Sequence, residues 1–185
     1  MTVAPDLIET VRHFDARLRP LQDYGINIHD PGWVARLKAR KETMASMYAE
    51  EQRLRDEIDR SGIIPRLIDA YLAGDDRERQ SLRTLFAECR SFAHNWGPEG
   101  RKITFPDPPA TSEQFLRAFA VHAMRDGDRD YRDEILLLDG LCKRCVESGL
   151  DVAVVLRQAA ELASGEPRGK RKSFRDALEE RAERI

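Results

Sequence analysis

Two thiols three residues apart, in Cys142-Lys-Arg-Cys145, are the side chains whose spacing comes closest to a chemical motif. A working redox pair needs one thiolate with a lowered pKa, usually supplied by a helix N-terminus. Here the pair falls near the C-terminal end of a helical stretch, where the helix dipole opposes the thiolate. Thioredoxin-like chemistry also needs a βαβ setting, and no strand-like alternation of useful length occurs. Spacing of i, i+3 puts both sulfurs on the apolar face with Leu138 and Leu141. Buried, reduced and unmetallated cysteines are therefore the expectation.

The same residues admit one other chemistry. A tetrahedral zinc site wants four ligands, and Cys89 with His94 would complete the set begun by Cys142 and Cys145 if the helices carrying them met face to face. This metal- or thiol-dependent reading is the alternative to a non-catalytic protein. His13, His29 and His122 are scattered and fit no triad and no Glu-x-x-His pattern. Glu50, Glu51, Arg53, Arg55, Asp56 and Glu57 alternate in sign at helix-pair spacing, which describes a solvated face. Neither a phosphate-binding loop, a dinucleotide fingerprint, a nucleophile elbow nor His-Glu-x-x-His is present, so neither an enzyme nor a cofactor is expected.

The elements that must position these groups read as helices almost throughout. Leu7, Val11, Phe14, Leu18 and Leu21 recur at steps of three and four, in a helix that Pro20 should stop or kink. Asp30-Pro31 opens a long helix with a predicted apolar stripe of Trp33, Leu37, Met44, Tyr48, Leu54 and Ile58. Gly62 and Pro65 punctuate it before Leu67, Ile68, Tyr71 and Leu72. One further helix is expected to carry Leu82, Leu85, Phe86, Cys89 and Phe92 through to Trp96, where Gly97-Pro98 ends it. Thr111-Ser-Glu-Gln114 is a capping box, Ile135 to Val146 form the next stripe, and Asp151 caps a helix with Val152, Val155, Leu156, Ala159 and Leu162.

Two of these stretches share a register. Gly74, Asp75, Arg79, Leu82, Leu85 and Cys89 match Gly127, Asp128, Arg132, Ile135, Leu138 and Cys142 at a constant offset. Each glycine is expected to end a helix in the left-handed region, and each following Asp to cap the next helix. Both a duplication and the shared grammar of Gly-Asp turns account for the match. Either way the architecture is all-α: a bundle of about seven helices built from antiparallel hairpins, with a short C-terminal helix.

Composition bounds the function. The chain has 185 residues, 41% hydrophobic and 35% charged, which suits amphipathic helices with heavily solvated outer faces. A net charge of −2 provides no basic field for nucleic acid or an anionic membrane. Arg168 to Lys172 is a basic run, but the Glu-rich end that follows nearly cancels it. No apolar stretch has the length to span a bilayer, and no signal-peptide pattern opens the chain. Three cysteines then suggest reduced thiols in a cytoplasm. Residues 1–164 read as a single helical domain, and 165–185 as a basic linker with a short charged helix.

Ile68-Asp-Ala-Tyr-Leu-Ala-Gly-Asp-Asp76 and Gly149-Leu-Asp-Val-Ala-Val-Val-Leu-Arg-Gln-Ala-Ala-Glu-Leu-Ala-Ser164 resemble segments of uncharacterised small all-helical bacterial proteins. Some of those look like toxin-immunity proteins, and the resemblance implies a role in binding and blocking a partner protein. The irregular stretch from Gly97 to Thr111, with prolines at 98, 106, 108 and 109, is the one long connection, and rigidly held loops often carry function. Trp96, Arg101 and Phe105, of the types that anchor protein interfaces, are accordingly the expected partner-binding residues.

Overall fold

Local capping sets four of the helix starts. Asp75 Oδ1 accepts the Glu78 N–H at 2.9 Å, while Glu78 Oε2 accepts the Asp75 N–H at 3.1 Å, closing a capping box. Thr111 and Gln114 form a second, and Ser173 and Asp176 a third. Asp151 accepts the Val154 N–H at 3.1 Å. A computed structural model describes residues 4–22, 33–94, 111–125, 131–166 and 172–185, with side chains for 4–21, 46–93, 111–125, 138–166 and 172–185.

Among the described residues the order is α1 Pro5–Gln22, α2 Trp33–Ser61, α3 Ile63–Ala73, α4 Asp76–Glu88, α5 Arg90–His94, α6 Ser112–Arg125, α7 Tyr131–Glu147, α8 Val152–Leu162 and α9 Phe174–Glu183, with no strand. The protein is all-α. No helix among these residues is long and apolar enough to cross a membrane.

Four details depart from the sequence reading. Pro20 lies inside α1, which continues to Gln22; in a last turn the lost N–H removes only one terminal bond. Tyr48 does not join the buried stripe of α2 but is 62% exposed. It precedes Leu54 by six residues and Ile58 by ten, which at roughly 100° per residue turns it about 120° and about 80° away from those buried side chains. Gly74 does not take a left-handed conformation. It is needed for closeness instead, because a Cβ there would sit 2.8 Å from the Ala70 carbonyl oxygen and 3.1 Å from Glu78 Cβ. The left-handed device appears at Gly149 (φ +67°). Its N–H donates to Val146 O and the Leu150 N–H to Cys145 O, a Schellman ending that turns α7 directly into the Asp151 cap.

The fourth departure is a break at Cys89, which ends α4 and starts α5. Nothing in the local sequence requires it. Asp15 of α1, 1% exposed, accepts the Phe92 N–H at 3.0 Å and so supplies from a distant helix the cap that α5 needs. Cys89 thus occupies a helix start, whereas its register mate Cys142 lies inside α7. The Gly127-Asp128 turn that would complete the comparison falls outside the described residues.

The chain divides into two compact units, with the boundary inside α3. The first contains α1, α2, the start of α3 and α5. Its core is Leu7, Val11, Phe14 and Leu18 from α1, Leu54 and Ile58 from α2, Ile63 and Leu67 from α3, and Phe92, whose ring stacks on Phe14 at 6.4 Å. The second contains the end of α3, most of α4 and α6 to α9. There α8 packs against α6, α7 and α9, around Phe115, Phe119, Met124, Leu141, Leu156 and Leu178.

Between α1 and α2, Arg17 grips Glu57 through two bonds of 2.7 and 2.9 Å. That hydrogen bonding holds the Glu57 carboxyl below the usual glutamate range. A depressed folded-state pKa contributes stability above the unfolded value, near 4.3, and loses it as pH falls through the folded value. A carboxyl NMR titration should therefore show Glu57 protonating at lower pH than an ordinary glutamate, and Arg17→Ala should move the midpoint up. An unmoved midpoint would mean the pair does not hold in solution.

Candidate functional site

The thiols fall into different units. Cys89 belongs to the first, Cys142 and Cys145 to the second, and all three are free. Cys145 is 0% exposed beside Leu141 on the inner face of α7. Burial, with a smaller contribution from Cys142, pushes its pKa up to about 11. Cys89 is raised to about 11 chiefly by burial and then by the nearby Asp15 carboxylate, with Arg12 and Arg19 partly opposing. Cys142 is half-buried rather than buried. Its pKa is also raised by burial, against the pull of Arg181 from α9, which hydrogen-bonds the sulfur and pairs with Asp139 at 3.0 Å. Thiols held protonated at neutral pH are poor nucleophiles.

The fourth residue of the alternative metal set, His94, closes α5, and its side chain is not among those described. Among the described residues no group of three or more His, Cys, Asp or Glu side chains is placed to hold a metal ion. His122 is wholly buried in the second unit, its ring 6.0 Å from that of Phe119 and 5.9 Å from that of Phe174. Trp96, Arg101 and Phe105 lie outside the described residues, so the expected binding loop has no geometry to report.

Cys145→Ser should destabilise the second unit by about 1–3 kcal/mol, because a hydroxyl replaces a sulfur at a fully buried position. Urea unfolding of the variant measures this; an unchanged midpoint would indicate that the site hosts a hydrogen-bond acceptor.

Two features of the second unit stand out that the sequence reading missed. The first is a convergence on the end of α8. Tyr71, 0% exposed on α3, donates its hydroxyl to the Leu162 carbonyl at 2.6 Å. Arg83 of α4 donates to that hydroxyl at 2.5 Å and to the same carbonyl at 3.3 Å. Arg79 donates to Glu161 O at 2.8 Å and to the carbonyls of Tyr71 and Leu72 at 3.1 and 3.4 Å. Two guanidinium groups thereby serve carbonyls at the ends of two helices, where the dipole favours positive charge. Arg79 had been visible only as a register match.

The second feature is an exposed apolar pair. Val146, expected on the buried stripe of α7, is 68% exposed, and Val154 at the start of α8 is 42% exposed. Val146 lies in the last turn of α7 and Val154 in the first turn of α8, on either side of the Gly149 ending. Lys143, Arg144, Glu147 and Asp151 surround them in the sequence, and Arg144 pairs with Glu147 at 3.2 Å. An apolar centre with a charged margin is the general form of a protein-binding patch. Set against protein-family models, curated proteins and solved structures, the chain matches none of them.

Proposed function

We propose that this protein is a non-catalytic binding module whose partner is another protein, of the kind in which an immunity or antitoxin protein binds and blocks its target. The observation that carries the reading is the exposed Val146 and Val154 at the α7–α8 turn. Isolated valines on a surface are ordinary; these two sit in the last turn of α7 and the first turn of α8, on either side of one hydrogen-bonded connection. The protonated state of the thiols favours structural over chemical duty for them. The immunity role follows from the resemblance of the Ile68–Asp76 and Gly149–Ser164 segments and from nothing else.

The test is capture of a binding partner from the native host, identified by mass spectrometry and then repeated with purified partner. Two variants accompany the parent chain: Val146→Asp with Val154→Asp, and Arg101→Ala with Phe105→Ala. Loss of binding by either, with helicity unchanged by circular dichroism, supports the module and locates its surface. Undiminished binding by both removes these surfaces. Stoichiometric zinc in protein purified from metal-free buffer would replace the reading with the metal-dependent alternative through Cys89, His94, Cys142 and Cys145.

A further inference from the structure

We draw no further inference here: the strongest candidate, the exposed apolar pair Val146 and Val154 on either side of the Gly149 ending between α7 and α8, belongs to the surface already described, and nothing among the described residues shows what covers it.

Discussion

Tyr71→Ala should cost the second unit about 3–5 kcal/mol, the range for emptying a fully buried aromatic site. Three effects act together. The ring leaves a cavity at a position with no solvent access. The Leu162 carbonyl loses its 2.6 Å donor and keeps only the longer bond from Arg83. Arg83 loses both its hydroxyl acceptor and the ring beneath its guanidinium, whose centroid lies 5.7 Å away. Tyr71→Phe separates the contributions, since it keeps the ring and removes only the hydroxyl; it should cost about 1–2 kcal/mol, the net value of a hydrogen bond plus partial exposure of its partner. Chemical unfolding gives the totals. Hydrogen exchange should show the loss of protection centred on the ends of α3 and α8 and the first turns of α4. Equal costs for the two substitutions would mean that the hydroxyl, not the packing, dominates this junction.

Asp15→Ala should destabilise the first unit by about 1–3 kcal/mol, because it removes the side-chain acceptor of the buried Phe92 N–H. It also releases Arg19, which reaches Asp15 at 2.7 Å from a largely exposed position and contributes little by itself. The effect should be local. A five-residue helix has no stability of its own, so α5 should lose exchange protection while α1 and α2 keep theirs. Asp15→Asn retains an acceptor oxygen for the same N–H and should recover most of the loss. If α5 remains protected in Asp15→Ala, the Cys89 break has another cause.

That break shows where sequence reading runs out. The apolar residues Leu82, Leu85, Phe86, Cys89 and Phe92 follow helical spacing without interruption, and each is buried as expected. Spacing alone cannot reveal that a carboxylate some seventy-seven positions earlier accepts the Phe92 N–H and so lets the chain restart there. Val146 teaches the same lesson for the surface. It shares the apolar composition of the α7 stripe, but its burial depends on whether a neighbouring helix covers that last turn, and among the described residues none does. Gly74 was legible as a glycine position and not for its reason: the turn needs room against the Ala70 carbonyl, not a left-handed backbone.

What the residues themselves determined is the helical class and four of the helix starts. Those depend on interactions within four residues, between a capping side chain and the N–H groups just ahead of it, so Asp75, Thr111, Asp151 and Ser173 act as their types and spacing dictate. The burial of Cys145 was legible too, because a helical period places it with Leu138 and Leu141. Only the tertiary structure decided that Arg79 and Arg83 close the end of α8, that Asp15 starts α5, and that Arg181 reaches Cys142. Each of these joins residues far apart in the chain, and such pairings depend on how helix faces meet in space, which local spacing does not encode.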